Sequence, residues 1–436
     1  MKQQQVFNNA KWIIGCKIVQ SLMQLAIGML SARYLGSSNY GLIGYAASVV
    51  AFAMPLMKLG FDAVFVHELV ECPQKEGEII GTALAFNIGS GILCISGITA
   101  FSMVVNHGEP QTIWVCILYS VSILFAALEM VQYWFQYKLL SKYSSLVMLA
   151  AYVLVSAYKI FLLATEKSVY WFAFSHSVEY GFIAFLLHYL YKKKGGARLT
   201  VSVKRAKKML RKSKHYILSA LMVVIIQNTD HIMITNMAGK EQNGFYSAAI
   251  TSATVAQFVY VAIMDSFRPL ILSLKRENQT EYHKNISRLF GIVGYFGLAQ
   301  SLVFTLFAPI IIGILYGAEY TPAIPILQII TWQCAFSYMG TVRNIWLLAE
   351  QKQKYLPLIN LIGALSNVVM NAILIPFLGA FGAAFASFLT QFFTNFVLGF
   401  ILSPLRESNG LLLRGLNPFF FFKEAKNMIR IILKKG

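Results

Sequence analysis

The chain has 436 residues, of which 57% are apolar and only 13% charged, and its formal net charge is +19. Soluble chains average about 45–50% apolar and about 25% charged residues, so this composition excludes an ordinary water-soluble globular protein. Twelve membrane spans of about 20 residues need roughly 240 mainly apolar positions, and the apolar share of this chain meets that need. The five cysteines (Cys16, Cys72, Cys94, Cys116, Cys334) stand far apart with no C-x-x-C. They read as apolar packing residues rather than a disulfide or zinc framework.

Apolar runs between polar breaks predict helices over 11–33, 40–58, 79–104, 112–137, 143–164, 169–191, 215–237, 244–267, 287–316, 322–349, 356–376 and 380–403. The first of these is longer than a signal-peptide core, and Ser31-Ala32-Arg33-Tyr34 at its outer end offers no A-x-A-like cleavage site. It is expected to stay in the mature protein. Most of the 37 Lys and Arg residues fall at the N-terminus (Lys2, Lys11) and in alternate connections: 58–78, 138–142, 192–214, 268–288, 352–354 and the tail. Basic residues in short loops mark the cytoplasmic side, so both termini are expected there. The opposite loops hold only Arg33, Lys167 and Lys240, while Lys17, Lys159 and Arg343 lie within spans.

The fold class expected is therefore an all-α polytopic membrane protein of about twelve transmembrane helices in two pseudo-repeated six-helix lobes. The divisions are 1–191 for the first lobe, 192–214 for a basic cytoplasmic linker, 215–403 for the second lobe and 404–436 for a tail. In the tail, Phe419 to Phe422 precede Lys423, Lys426, Arg430, Lys434 and Lys435. Such a basic, apolar-faced segment is expected to lie on the inner leaflet. A basic balance in a soluble chain would suggest nucleic acid; here the positive-inside rule accounts for it, and no nucleic-acid partner is expected.

An internal repeat supports the division. Gly36-Ser37-Ser38-Asn39-Tyr40-Gly41 resembles Gly239-Lys240-Glu241-Gln242-Asn243-Gly244 at a constant offset, and both open an even-numbered span at an external turn. Glycine supplies the backbone freedom such turns need. Duplicated halves are common in transporters.

With these turns placed, the chain resembles the oligosaccharide flippase (Wzx-like, polysaccharide biosynthesis) family of the multidrug/oligosaccharidyl-lipid/polysaccharide exporter superfamily. The residues that carry the resemblance begin with Ala32-Arg33-Tyr34-Leu35-Gly36, Tyr40-Gly41 and Leu59-Gly60-Phe61-Asp62. Asn228-Thr229-Asp230, Gly244-Phe245-Tyr246-Ser247-Ala248-Ala249 and Leu315-Tyr316-Gly317 follow, then Lys352-Gln353-Lys354-Tyr355, Asn367, Asn371 and Leu378-Gly379-Ala380-Phe381-Gly382-Ala383-Ala384. The resemblance implies alternating access to the two sides of a bacterial inner membrane. The implied cargo is an undecaprenyl-diphosphate-linked oligosaccharide for O-antigen, other lipopolysaccharide or capsule assembly. Membrane lipids, a polysaccharide polymerase and chain-length proteins are the further partners it brings.

Ionisable groups inside spans cost about 2.5–3.5 kcal/mol each on insertion scales, which makes each a candidate site residue. Lys17 shares a face of span 1 with Ser21, Gln24, Gly28 and Ser31, and Arg343 lies at similar depth in span 10. A diphosphate suits a guanidinium fork with an ammonium point charge. The two cations either grip that headgroup or snorkel to the interface. Lys159 in span 5 either hands the diphosphate outward or snorkels, and Arg33 is a turn contact or a cargo ligand. Asp230, Glu129 and Glu179 are read as ion-pair partners of these cations or as carriers of a coupling proton or sodium ion. Multidrug exporters of the superfamily carry an acid in span 1, where this chain has Lys17.

No cofactor is expected, and no H-E-x-x-H, P-loop or G-x-S-x-G motif is present. The chain reads as a non-enzyme. Two alternatives remain: an ion-coupled small-molecule or multidrug antiporter of the same superfamily, and a polysaccharide polymerase or acyltransferase. His67-Glu68 with Glu71 is read as part of a solvated cytoplasmic loop.

Overall fold

The computed structural model describes residues 2–424 and 426, with the side chains of 2–14, 17, 18 and 262 outside that description. Lys17 therefore lies outside the described residues, as do 427–436 of the tail. No strand occurs among the described residues. Two compact units divide the chain, Met1–Gly244 and Phe245–Gly436.

The first unit opens with α1 (Lys2–Lys58), which breaks at Gly36 (φ 72, ψ 169) into two successive spans. Then come α2 (Phe61–Glu71), α3 (Glu76–Val105), α4 (Pro110–Ser120), α5 (Ser122–Leu128) and α6 (Gln132–Tyr137). The last three are pieces of one span, with a 3-10 turn at Glu129–Val131 between α5 and α6. α7 (Ser141–Ala164), α8 (Val169–Lys193) and α9 (Val203–Ala238) follow. Two apolar clusters hold the unit together: one around Tyr45, Cys116 and Ala173, the other around Phe61, Trp134, Leu187 and Met209.

α10 (Lys240–Ala253) begins in the first unit and enters the second at Phe245, and the second unit continues through α11 (Gln257–Glu277), α12 (Gln279–Tyr316) and α13 (Ala323–Ala349). α14 (Leu356–Phe392) breaks at Gly379 (φ 56, ψ −137), and a π-turn at Phe393–Val397 leads into α15 (Leu398–Ile401) and α16 (Arg406–Leu416). Beyond α16, Phe421 packs at a tilt against Tyr295, and Glu424 is ion-paired with Arg288 and Lys284. Phe419 and Phe422 stay exposed.

Eight helical stretches of the described residues are long and apolar enough to cross a membrane. Val19–Glu71 and Gln353–Ile401, of 53 and 49 residues, each contain one of the glycine breaks and so cross twice. α8 and α13 are more polar but, at 25 and 27 residues, exceed the ~20 that a crossing needs. The described residues thus give the twelve crossings of an all-α polytopic membrane protein, at the positions hydropathy predicts.

The basic 192–214 segment is built into the first unit. Its first part runs as a strap over the start of α3, where the Thr200 N–H donates to the Gly77 carbonyl (3.1 Å) and the Ser202 N–H to Thr82 Oγ1 (3.0 Å). A Cβ on Gly77 or Gly81 would overlap the strap backbone, so glycine is what permits the approach. Glu76 receives the Trp134 indole N–H at 2.7 Å and pairs with Lys138 at 2.8 Å. From Val203 onward the segment is the first part of α9 itself, capped by the Ser202 side chain.

One expectation is overturned here. Glu68 is not in a solvated loop: its exposure is 0%, on the inner face of α2, and it pairs with Arg205 (3.1 Å), Lys208 (3.8 Å) and Lys212. The reason is that residues 61–71 form a helix with one apolar face, which carries Glu68 inward alongside Phe61, Phe65 and Leu69. Arg205 also reaches Glu78 at 3.3 Å, and Lys212 reaches Glu71 at 3.0 Å.

Candidate functional site

In the second unit, α13 places Arg343 against the π-turn of the last span. The side chain is only 5% exposed. One terminal nitrogen donates to the Thr394 carbonyl at 2.5 Å and the other to Asn395 Oδ1 at 2.9 Å, while Nε has no partner. Asn395 is itself held by its Nδ2 donating to Gln391 Oε1 at 2.6 Å. A π-turn shifts carbonyls off the regular i→i−4 ladder, and such turns concentrate at functional sites. Gly340 makes room, since a Cβ there would overlap the Asn395 side chain. Among the described residues no carboxylate touches Arg343. Its charge is met by dipoles alone, which leaves it electrostatically suited to an anion.

The first unit carries the other intramembrane charges. Lys159 on α7 is half-buried, and no ion pair closes on it among the described residues. Its field reaches both Glu179 and His176 on α8. His176 Nδ1 lies 3.9 Å from Glu179 Oε2, and its ring packs at a tilt on Tyr119 at 4.3 Å. Glu129 accepts from Gln132 Nε2 at 3.1 Å and lies in the fields of Lys58 and Glu179. The structure sets His176, which the sequence reading missed, beside Glu179, while Lys159, Glu129 and Lys58, the last also missed, act on this group only through their fields. For His176 a signal was present, because it stands three residues before Glu179 and so on the same helical face.

Gln24 is exposed on span 1, while Ser31 on the same stripe is buried with an unpartnered hydroxyl. Arg33 is exposed beside the Gly36 break. Asp230 is buried on α9 and engaged, next to His231, whose Nδ1 lies 2.7 Å from Asn243 Oδ1. Asn243 Nδ2 in turn donates to the Gly41 carbonyl at 2.7 Å.

That bond belongs to a reciprocal joint between the two repeated turns. Gly36 and Gly239 adopt the same backbone, at φ 72, ψ 169 and φ 96, ψ 166. A Cβ on Gly41 would overlap the Lys240 carbonyl and Gly244 amide, and one on Gly244 would overlap the Ser37 carbonyl. Lys240 also pairs with Glu109 at 2.9 Å. The Thr112 hydroxyl, with Lys240, holds the Glu109 carboxyl below its ordinary range.

His283, Glu350 and Glu407 bring ligand atoms within 4.8 Å of one another. Lys275 sits 2.6 Å from Glu350 and Lys352 3.6 Å from Glu407, so the trio forms an ion-pair cluster whose charge is already met.

Residues 30–325 match a family described as polysaccharide biosynthesis protein. No curated protein matches the chain. Solved structures with the same fold include the lipid II flippase MurJ in an inward closed conformation, at 14% identity and TM-score 0.70, covering 93% of this chain and 90% of that one. An inward-facing multidrug resistance MATE family transporter of the MOP superfamily aligns at 16% identity and TM-score 0.66, covering 90% and 95%. A MOP superfamily transporter from Pyrococcus furiosus, described by a reverse polarity of its binding pocket, aligns at 14% and 0.58, covering 93% and 95%.

Proposed function

The chain belongs to the polysaccharide biosynthesis protein family, and from that membership we propose that it flips undecaprenyl-diphosphate-linked oligosaccharide repeat units across the bacterial inner membrane. The observation that carries this reading is Arg343, a buried guanidinium in a membrane-spanning helix with no carboxylate in contact among the described residues. Such a charge is costly unless it meets an anion during the working cycle. A diphosphate brings about two negative charges and matches the planar donor fork. Lys17 in span 1 is the second proposed ligand, with Gln24 beside it. A cationic drug would be repelled by the same groups, which favours the flippase over the multidrug antiporter. The twelve-span fold supports alternating access as the mechanism, for O-antigen or capsule assembly alongside a polymerase and chain-length proteins.

The test is a deletion strain assayed for two pools, surface polysaccharide and undecaprenyl-diphosphate-linked oligosaccharide. Loss of the first with build-up of the second is the expected result, and unchanged pools with new sensitivity to a cationic dye would overturn it. In complementation, Arg343→Gln and Lys17→Gln should each fail at normal protein level, while Arg343→Lys retains partial function. Full activity in both Gln variants refutes the assigned roles.

A further inference from the structure

The strap that crosses the start of α3 carries a surface that positive-inside topology does not require. Its Thr200 and Ser202 N–H groups bond to Gly77 and Thr82, each within a turn of position 79, where the hydropathy of span 3 begins. The strap therefore sits at the inner boundary of the membrane. Its alternate positions Leu199, Val201 and Val203 are 39%, 60% and 59% exposed. Alternate residues of an extended chain share a side, and Ser202 between the last two is extended at φ −136, ψ 113. Lysine and arginine fix topology wherever their side chains point, but they do not account for three branched apolar side chains turned outward among them.

Unpaired charge surrounds this apolar edge. Arg198, Lys204 and Lys207 are exposed, and so are Lys192 to Lys194 just before the strap. Among the described residues no carboxylate pairs with any of these. Their neighbours Arg205, Lys208 and Lys212 are instead taken by Glu68, Glu71 and Glu78. One set of cations thus holds α9 to α2, and a second set faces outward with no counter-charge. Apolar groups that enter the acyl boundary and cations that stay at the phosphates are the two parts of an interfacial anchor. A protein interface would favour aromatic anchors and few lysines, whereas residues 195–204 contain no aromatic side chain.

We propose that the strap is a docking surface for anionic lipid of the inner leaflet. Leu199, Val201 and Val203 enter the leaflet, while Arg198, Lys204 and Lys207 take phosphate oxygens of the headgroups. Anionic lipid is then a ligand of the first unit, pressing the strap onto α3 from outside as the bonds to Gly77 and Thr82 hold it from inside. The surface is independent of the cargo.

The experiment compares deuterium exchange of residues 197–204 in the full-length protein between nanodiscs of phosphatidylcholine and nanodiscs of equal parts phosphatidylcholine and phosphatidylglycerol. Residues 141–164 of α7 serve as the reference for overall folding. A basic side chain near an anionic leaflet contributes a factor of about five, so the strap should exchange at least about tenfold more slowly in the anionic discs. That gap should close in about 1 M salt, where the screening length falls to about 3 Å. The triple variant Arg198→Gln, Lys204→Gln, Lys207→Gln should lose the gap at low salt. The triple variant Leu199→Ser, Val201→Ser, Val203→Ser should exchange faster than the wild type in both discs, after correction for intrinsic rates. If either variant fails to fold, the lipid and salt dependence of the wild type still decides. Equal exchange of the wild type in the two discs overturns the proposal, as does a gap that survives in the charge variant or a serine variant that matches the wild type. Protection that phosphatidylglycerol fails to give but poly-L-glutamate gives in phosphatidylcholine discs would replace the leaflet by an acidic protein partner.

Discussion

Replacing Glu68 by Gln removes one charge from a buried cluster without changing its shape. Arg205 and Glu68 are 7% and 0% exposed as side chains and 3.1 Å apart, so this is a buried pair. Breaking such a pair by neutralising one partner typically costs about 3–5 kcal/mol. Arg205 keeps Glu78 at 3.3 Å and Lys212 keeps Glu71 at 3.0 Å, which places the loss at the low end, about 3 kcal/mol. The pair joins α2 to the start of α9, so the loss falls on local detachment of the 195–214 segment. At 1.4 kcal/mol per decade, amides of residues 203–214 should exchange with deuterium about a hundredfold faster in Glu68→Gln than in the wild type. Mass spectrometry of peptic fragments from the detergent-solubilised protein reads this directly. Glu71→Gln is the control, because Glu71 is a solvent-exposed partner and should shift exchange by no more than about twofold. Equal exchange in Glu68→Gln and wild type would refute the reasoning that the strap is held by this buried charge.

Glu424 gives a pH dependence at the other end of the chain. Burial opposes its ionisation, but Arg288 and Lys284 outweigh that and hold its carboxyl below the ordinary 4.5. A depressed carboxyl contributes stability that is full above 4.5 and lost as pH falls through its lower native value. Deuterium exchange of residues 417–424, compared at each pH with that of Glu424→Gln, should accordingly show the wild type better protected between pH 6 and 8 and lose that advantage only in acid. Gly36→Ala and Gly239→Ala should each lower the thermal midpoint, with a cost of about 1–3 kcal/mol, because both sites hold a backbone that side chains avoid; the two losses should be alike, and a silent variant would contradict the shared conformation. Trp134→Phe removes the indole donor from a carboxylate, for a loss of about 1.5–3 kcal/mol in chemical unfolding; an unchanged midpoint would mean that the Glu76 contact contributes nothing.

The crossings and the turn glycines were legible in the sequence because hydropathy and backbone freedom are local properties. A run of twenty apolar residues or a glycine between two such runs has the same meaning in any fold. Glu68 was misread because its partner Arg205 is 137 positions away and the helix that turns it inward is only eleven residues long. Arg343 was legible as a buried cation, but its partners were not. The guanidinium turns across to Thr394 and Asn395, 51 and 52 residues on, a separation that no pattern within span 10 reveals. The π-turn that presents that carbonyl has no local signature. His176 and Glu179 could have been paired from spacing alone; Lys159 and Glu129 could not have been added without knowing which helices are neighbours.

The joint of the two glycine turns has the form of an isologous contact. Gly41 rests on Lys240 and Gly244, while Gly244 rests on Ser37, the position equivalent to Lys240 in the other repeat. Each turn is both knob and socket for its counterpart, as the two surfaces of a C2 homodimer are. For a modern chain the corollary is combinatorial: a hybrid assembled from the front of one relative and the back of another keeps the joint only if both donors retain small residues at both places. The permissible crossover points are therefore set by a pair of positions 203 residues apart, and no single half carries the whole instruction.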